Sequence, residues 1–255
     1  MNTIKLSVKD QLAIITLNRG KSNSINREMV EELIEAFGQI EADDAIIGAM
    51  ISGHGNFFSA GLDLIELYSY NEEEAKAFWY LFLALNAKIT AFKKPLVAAI
   101  NGHSPAGGCV LALACDARIM ADGKFIIGLN EVPVGIIVPN VIFQSYSFWL
   151  GQAAASRSLL EGKLFSPSEA KEIGLVDAVV NQESILTAAE RQARKYMAFE
   201  QTTWQQSKVN IRRNLIEQTS ADQSADLEVM LKQWWAPTTR YILKSIIDSL
   251  QKKSN

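Results

Sequence analysis

Two short turns in the chain combine the residue types that can bind an oxygen anion. They are "NFFSAGLDL" (56–64) and "NGHSPAGGCVLALA" (101–114), and each lies between a short apolar run and a predicted helix. Backbone N–H groups at a helix start lack partners within the helix and carry the positive end of its dipole. Because glycine lets a ligand approach the backbone, we expect the amides of Ala60 and Gly107 to form an oxyanion hole.

Each turn also fits a purely structural role. Gly107 and Gly108 suit close packing of a strand against a helix, and "SAGLD" suits an ordinary turn. A catalytic role for these turns therefore requires a third group that can accept and return a proton.

Glu131 is the candidate for that acid–base group. It lies in "FIIGLNEVPVGIIVP" (125–139), with apolar residues on both sides. Burial there disfavours the charged form, so we expect the pKa of Glu131 to rise above the ordinary value of about 4.3 and to make it a better base. Other acidic residues, such as Glu72, lie on solvated helical faces. A capping or salt-bridged carboxylate beside Pro133 is the structural alternative.

The composition predicts a globular protein without a general affinity for polyanions. The chain has 255 residues, 48% of them apolar, with a net charge of -3 and a pI near 5.6. These values disfavour nucleic acid and anionic membranes as partners. The most apolar stretch, "VPVGIIVPNVIFQSYSFWLG", contains prolines and polar residues and does not predict a membrane span.

The chain start and the cysteines indicate a cytoplasmic location. "MNTIKLSVKDQLAIITLNR" predicts strand almost at once, without the zones of a signal or transit peptide. Cys109 and Cys115 lie in apolar surroundings and suit buried thiols in a reducing compartment. With His54 and His103 as its two histidines, the chain offers no spacing typical of a metal site, so we expect no metal.

The elements that must position these residues indicate an α/β fold. The runs at 12–17, 45–52 and 95–102 are apolar without alternation, which is typical of strands covered on both faces. Helical patterns with the capping residues Asn26 and Asn71 lie between them. Strands alternating with helices favour parallel pairing with right-handed crossovers.

The second helix and the C-terminal part carry further patterns. An apolar stripe on the helix after Asn71 predicts core packing, with an acyl pocket as the secondary interpretation; it consists of Phe78, Phe82, Leu85, Ile89 and Phe92. From Gln182 onward the chain shows only helical patterns. We therefore divide it into an α/β core, 1–181, and a helical segment, 182–255, that is not independent.

Four stretches in chain order resemble the crotonase, or enoyl-CoA hydratase/isomerase, superfamily. They are "LNRGKSNSIN", "FSAGLDL", "INGHSPAGGC" and "LFSPSEAKEIGLVDAVV". The resemblance implies a spiral of β-β-α units with C-terminal helices that build trimers or dimers of trimers. It also implies an acyl-CoA thioester substrate, with CoA as part of the substrate and no separate cofactor.

The resemblance also assigns roles to individual residues. The family holds the thioester oxygen between two amides, which correspond to Ala60 and Gly107. The positions that correspond to the family's CoA contacts are Ser24, Ser59, Ala60, Gly61, Leu62 and Asp63.

Val110 separates this chain from the family's hydratases. Those enzymes use two glutamates, and one of them directly follows "GGC", where this chain has Val110. The other lies four residues before a glycine, as Glu131 lies before Gly135. One carboxylate and an oxyanion hole suffice to move a double bond, and "SPAGGC" and "IGLNEVPVGIIVP" are similar to Δ3,Δ2-enoyl-CoA isomerases. Asn130 either helps to position Glu131 or the substrate, or is a turn residue.

Two other functions remain open at this point. Hydration is possible if Asp63, or a carboxylate of the aromatic helix, replaces the missing glutamate. A non-catalytic CoA- or RNA-binding relative is the other alternative, although the acidic balance opposes RNA binding. Lys21, Lys93 and Lys94 are candidates for contacts with the CoA phosphates, as any surface lysine is.

Overall fold

The computed structural model describes the backbone of residues 1–254 and the side chains of residues 1–252. Over that range the strands are β1 (Ile4–Lys9), β2 (Leu12–Leu17), β3 (Gly48–Gly53), β4 (Leu96–Ile100), β5 (Ser104–Pro105), β6 (Ala117–Ala121), β7 (Ile127–Gly128), β8 (Leu164–Phe165) and β9 (Ala178–Val180).

The helices surround these strands, and two short 3-10 turns, Val132–Val134 and Gln182–Ser184, accompany them. The helices are α1 (Arg27–Ala42), α2 (Leu64–Ser69), α3 (Glu72–Ala91), α4 (Gly107–Leu113), α5 (Asn140–Leu150), α6 (Gln152–Glu161), α7 (Pro167–Glu172), α8 (Ile185–Met197), α9 (Gln201–Ser220), α10 (Ser224–Trp234) and α11 (Pro237–Ser254).

The main sheet has the strand order β1-β2-β3-β4-β6-β9. β1 pairs antiparallel with β2, and the later pairs are parallel. Since parallel strands point the same way, the segments that follow β2, β3 and β4 emerge at one edge of the sheet. That edge brings together three segments that are far apart in sequence: the loop at 18–26, called the early loop, and the two glycine-containing turns, called the first turn (56–64) and the second turn (101–114).

The strands and helices predicted in the first hundred residues are confirmed. The run at 45–52 corresponds to β3, which begins at Gly48 because the residues before it form a turn. The side chain of Asn26 accepts a hydrogen bond from the Met29 amide, and Asn71 forms a capping box with Glu74. Both helices therefore start where their capping residues indicated.

The C-terminal part is helical, as its patterns predicted. α8 packs against β3, β4 and β6, while α9 packs against α3 and α5, so this segment covers the sheet and the core helices. The division into two parts at residue 181 stays a prediction, and its last residue, Asn255, lies outside the described residues. Cys109 and Cys115 are free, buried thiols, as expected.

None of the helices in the described part of the chain is both long and apolar enough to cross a membrane.

Candidate active site

A cavity of about 680 Å³ lies where the two glycine-containing turns meet. Its wall combines segments from the early loop, both turns, α3, the 3-10 turn after Glu131, and α11. Seven of the predicted site residues contribute to this wall: Ser24, Ala60, Leu62, Asp63, Gly107, Asn130 and Glu131.

The two turns approach each other at glycines. Gly61 has a φ of +90°, and a Cβ atom there would lie 2.9 Å from the Cβ of Ala106 and 3.1 Å from the amide nitrogen of Gly107. A Cβ at Gly108 would lie 2.5 Å from the carbonyl oxygen of Ser59. Such distances exclude a larger residue without movement of the backbone, so the glycines set the spacing of the two turns.

Gly107 presents an unpartnered amide at this contact. It is the first residue of α4, which no side chain caps. Ala106 before it adopts a φ of 49° and donates its own N–H to the Gly128 carbonyl at 2.8 Å. Among residues 1–254 no acceptor is bonded to the Gly107 amide, which is therefore available to an oxygen atom of a ligand.

The amide of Ala60 is not free, in contrast to the expectation of a second unpartnered donor. Its N–H donates to the Ser22 carbonyl at 2.9 Å. The cause is the pairing of the early loop with the first turn, in which the Ile25 amide donates to the Gly61 carbonyl at 2.8 Å. A ligand oxygen must therefore share or replace the Ser22 carbonyl at Ala60.

Arg19 fixes the early loop in this position. Its guanidinium donates to the Ser24 carbonyl at 3.1 Å and pairs with Asp63 at 2.6 Å and Glu66 at 3.3 Å. These contacts join the loop to the start of α2, directly after the first turn.

Ser59 and Gly61 lie behind the cavity wall rather than in it. The Ser59 hydroxyl donates to the Asn23 carbonyl at 2.8 Å and accepts from the Gly61 amide at 3.1 Å. Both residues are buried. They support the first turn from the protein side, and neither belongs to the described wall.

Glu131 provides a shielded carboxylate in the wall. Its Oε2 is buried and has no hydrogen-bond partner among the described residues. Burial raises the pKa of Glu131 to about 7, and a backbone hydrogen bond opposes this effect. The backbone is held by the amides of Val134 and Ile136, which donate to the Glu131 carbonyl at 3.1 and 2.9 Å. The raised pKa expected from its apolar neighbours is confirmed.

The other carboxylates are not placed for proton transfer. Among the described residues of the wall, Asp63 is the only carboxylate besides Glu131. Its Oδ1 accepts from the amides of Ile65 and Glu66 as the cap of α2, while its Oδ2 pairs with Arg19. The acidic residues at the start of α3 are exposed and lie outside the wall. Val110, which lines the cavity, carries no acid group.

The apolar part of the wall includes both predicted and unpredicted residues. Trp79 of α3 and Ile246 and Leu250 of α11 line it without a signal in the sequence analysis, whereas Phe82 belongs to the predicted stripe. Of the predicted aromatic stripe, only Phe82 reaches the described wall, while the other members lie in the core. The spacing on α3 gave a signal for this face, but nothing local connects α11 with a site more than a hundred residues earlier.

The three lysine candidates for phosphate contacts differ in exposure and in position relative to the cavity. Lys21 is exposed and lines the cavity mouth. Lys94 is wrong as a phosphate ligand, because it is buried and its Nζ donates to the carbonyls of Ile40 and Asp43, each at 2.7 Å. Lys93 is exposed but does not belong to the described wall.

Residues 7–241 match the family described as Enoyl-CoA hydratase/isomerase. Enoyl-CoA delta isomerase 1, mitochondrial, of Rattus norvegicus is 37% identical over 217 residues, which are 83% of this chain and 75% of the rat protein. The short-chain-enoyl-CoA hydratase of Clostridium acetobutylicum is 30% identical over 217 residues, which are 84% of this chain and 83% of that protein.

A solved structure extends this similarity to the whole fold. Human mitochondrial delta3-delta2-enoyl-CoA isomerase superposes with a TM-score of 0.95 at 29% identity, covering 99% of this chain and 100% of that chain. This match confirms the α/β arrangement that the sequence resemblance implied.

Proposed function

Because the chain belongs to the enoyl-CoA hydratase/isomerase, or crotonase, family, we propose that it moves the double bond of a 3-enoyl-CoA to carbon 2, with Glu131 as the single acid–base residue. The observation that carries this proposal is the contrast between two positions in one cavity wall. Glu131 has a shielded carboxyl with a pKa near 7, whereas Val110 can neither orient water nor transfer a proton.

The reaction begins at carbon 2 of the substrate. The thioester and the double bond together acidify the proton there, and ionised Glu131 removes it. The resulting dienolate carries negative charge on the thioester oxygen. The Gly107 amide is available to this oxygen, and the Ala60 amide joins it as the bond to the Ser22 carbonyl is shared or replaced. In a well-studied enzyme, loss of one such donor costs about 2.7–4 kcal/mol of transition-state stabilisation.

The reaction ends when protonated Glu131 returns the proton to carbon 4. A pKa of about 7 lets the same group act as base and then as acid near neutral pH, because neither form is strongly disfavoured. Water does not enter the product, and the net change is the movement of the double bond.

Hydration is the second candidate function, since the relatives include a short-chain-enoyl-CoA hydratase. It requires a second acid–base group. The only other carboxylate in the described wall is that of Asp63, which caps α2 and forms an ion pair with Arg19. A non-catalytic CoA- or RNA-binding role leaves the shielded carboxyl and the free amide without a purpose. Isomerisation accounts for both.

The direct test uses purified protein with 3-hexenoyl-CoA and identifies the products by chromatography and mass spectrometry. We expect 2-hexenoyl-CoA as the main product. Accumulation of 3-hydroxyhexanoyl-CoA instead would assign hydration. Absence of any product, together with a salt-dependent shift of RNA mobility, would assign the binding role.

We also propose a homotrimer, alone or paired, in the cytoplasm. An apolar groove of about 770 Å³ beside the 3-10 turn supports the assembly, because Val132, Ile137, Leu160 and Val229 on it are exposed. The free, buried thiols are consistent with a reducing compartment. Light scattering on the eluting protein gives the number of subunits, and cell fractionation gives the location.

A further inference from the structure

Arg240, near the start of α11, contacts two other parts of the fold. Its guanidinium carbon lies 3.5 Å from the ring centroid of Tyr68 on α2 and 4.7 Å from that of Trp235, directly after α10. Its Nη2 donates to the Tyr68 carbonyl at 2.8 Å. Its Nη1 is shielded from solvent and has no hydrogen-bond partner among the described residues. The two rings and the Tyr68 carbonyl therefore hold the guanidinium in place.

The charge of Arg240 suits α2 better than its own helix. Arg240 lies in the first turn of α11, where the positive end of the helix dipole disfavours a cation. The Tyr68 carbonyl, in contrast, belongs to the last turn of α2, whose carbonyls lack partners within the helix. A cation is favourable there, and its planar group also stacks on aromatic rings. The placement of this charge indicates a role in holding α2 and α11 together.

At its other end, α2 is tied to the early loop. The carboxylate of Glu66 on α2 accepts hydrogen bonds from Arg19 at 3.3 Å and from the side chain of Asn26 at 3.0 Å. Asp63, the cap of α2, pairs with Arg19 at 2.6 Å. The early loop therefore fixes the start of α2, and Arg240 fixes its end against α11.

The two helices that Arg240 joins both line the cavity. Their residues in its wall are Leu64, Ile65, Ile246 and Leu250. Ile246 lies about 9 Å beyond Arg240 along the helix axis. Thr239, next to Arg240, donates to the Gly135 carbonyl at 3.2 Å. The first turn of α11 is thus held on two sides, and this sets where its later residues meet the wall.

We propose that Arg240 is a positioning residue for acyl-chain selectivity, because it holds α2 against α11 and so fixes the apolar wall that contacts the far part of the acyl chain. An apolar wall that is ordered before the ligand arrives binds more tightly than one that must become ordered during binding. The acyl-CoA ligand rests on the proposed function, whereas the link between the two helices does not.

The first experiment measures this link without any ligand. Arg240→Met keeps a long apolar side chain but removes the donor and the planar cation. Amide hydrogen exchange, followed by mass spectrometry, should become at least about threefold faster in peptides from α2 and from residues 241–250, because both helices lose a contact that holds them. Unchanged exchange in α2 would overturn the proposal, since Arg240 would then not hold that helix.

The second experiment measures selectivity by calorimetry with hexanoyl-CoA and dodecanoyl-CoA, which have no double bond to move. In Arg240→Met the affinity for dodecanoyl-CoA should fall at least about tenfold more than that for hexanoyl-CoA, which corresponds to lost contact with about two methylene groups. A merely structural role would weaken both ligands equally. An equal loss, or no loss, would therefore contradict the proposal.

Two further variants support this comparison. Arg213→Met is the control, because Arg213 is exposed on α9, donates to Asn210 at 3.0 Å and lies outside the described wall; it should leave exchange and selectivity unchanged. Arg240→Lys keeps the charge but loses the planar stacking group, so its selectivity should lie between those of wild type and Arg240→Met. Thermal unfolding checks that each variant is folded, and Arg240→Lys is the test variant if Arg240→Met does not fold.

The outcomes separate this proposal from the proposed function. If wild type binds both acyl-CoAs but converts no 3-hexenoyl-CoA, the proposed function fails, while the affinity ratio still decides on Arg240. If wild type binds neither ligand, the cavity has no acyl-chain selectivity to set, and the proposal is overturned.

Discussion

At the level of single residues, the proposed function rests on the contrast between Val110 and Glu131. Both line the same wall, and only Glu131 can exchange a proton. Its pKa near 7 arises from burial rather than from a neighbouring charge. The acidity of the site is therefore sensitive to anything that admits water beside Oε2.

Glu131→Gln is the first variant that tests this role. It keeps the size of the side chain but removes the acid–base group, so we expect kcat for isomerisation to fall by at least about a hundredfold. Binding of the acyl-CoA, measured by calorimetry, should change little. The matched control is Glu72→Gln, an exposed glutamate at the start of α3, which should keep normal activity. Normal turnover of the Glu131 variant would contradict the assignment.

The same residue predicts a pH dependence of stability. Burial raises the pKa of Glu131 from 4.5 to about 7, so the native state binds more protons than the unfolded state between these values. The free energy of unfolding should therefore fall as the pH rises through that window, by about 1–3 kcal/mol from this group.

Glu131→Gln removes this loss. The free energy of unfolding of the variant minus that of wild type should therefore be larger at pH 8 than at pH 5. Urea denaturation at both pH values measures this difference. The Glu72→Gln variant should show the same difference from wild type at both pH values. Parallel behaviour of the two variants would mean that the carboxyl is solvated in the folded protein.

Single residues were partly predictable from the sequence. The apolar segment around Glu131 indicated its raised pKa, but the burial responsible comes from tertiary packing, because the flanking residues Val132 and Ile137 are themselves exposed. The occupied amide of Ala60 was not predictable, since its acceptor, Ser22, reaches it only through pairing of two distant loops. Lys94 was misjudged for the same reason, because its carbonyl partners belong to the end of α1 and the turn that follows.

At the level of elements, the function depends on how closely the two glycine-containing turns approach each other. Gly61 lies at this contact, and a Cβ there would lie only 3.1 Å from the Gly107 nitrogen. The turns follow β3 and β4, whose parallel pairing brings them to the same edge of the sheet. The spacing of the two proposed oxyanion donors is therefore a property of backbone packing.

Gly61→Ala tests the importance of this spacing. The added Cβ should separate the turns and lower kcat by about tenfold to a thousandfold, because one donor moves away from the thioester oxygen. The control is Gly174→Ala, since Gly174 also has a positive φ, of +80°, with nothing within 4 Å of the added atom. Both variants incur backbone strain of about 1 kcal/mol. Gly61→Ala adds the cost of its close contacts with the second turn, and only this variant should lose activity. Equal activities would show that the turns tolerate separation.

The elements themselves were largely predictable. Apolar runs and capping residues located β2, β3, β4, α1 and α3, and the C-terminal patterns located the last helices. The two-residue strands β5, β7 and β8 have no sequence signal of their own, because they form only when tertiary contacts align their backbones.

At the level of the whole molecule, the C-terminal helix α11 contributes apolar residues to the cavity wall. Ile246 of this helix lines the wall together with residues of the first turn and α3. Thr239, in its first turns, donates to the Gly135 carbonyl at 3.2 Å and so anchors the helix to the segment that carries Glu131. Under the proposed function, α11 therefore borders the space available to the acyl group.

Ile246→Trp should shorten the acyl chains that the protein accepts. The larger ring fills part of the cavity, so kcat/KM should fall by at least about tenfold for a dodecenoyl-CoA and change little for a hexenoyl-CoA. Ile211→Trp is the control, because Ile211 on α9 is 71% exposed and distant from the wall. An unchanged ratio between the two substrates would show that the acyl chain leaves the cavity by another route.

The role of α11 marks the limit of prediction from this sequence. Its helical pattern was evident, but its docking place depends on tertiary contacts with α2, α10 and the 3-10 turn after Glu131. The turns and Glu131 could be associated through resemblance to a family. The shape of the acyl cavity could not, because it is set by packing between segments at opposite ends of the chain.

The most direct test of the central claim is a single-turnover experiment with 3-hexenoyl-CoA that carries deuterium at carbon 2, run in ordinary water. If Glu131 alone removes and returns the proton, a measurable fraction of the 2-hexenoyl-CoA product should carry deuterium at carbon 4. Glu131→Gln should form no such product. A wild-type product with no deuterium at carbon 4 would contradict direct return by a shielded Glu131, because the deuteron would then have exchanged with solvent on the carboxyl, or a second acid would have donated the new hydrogen.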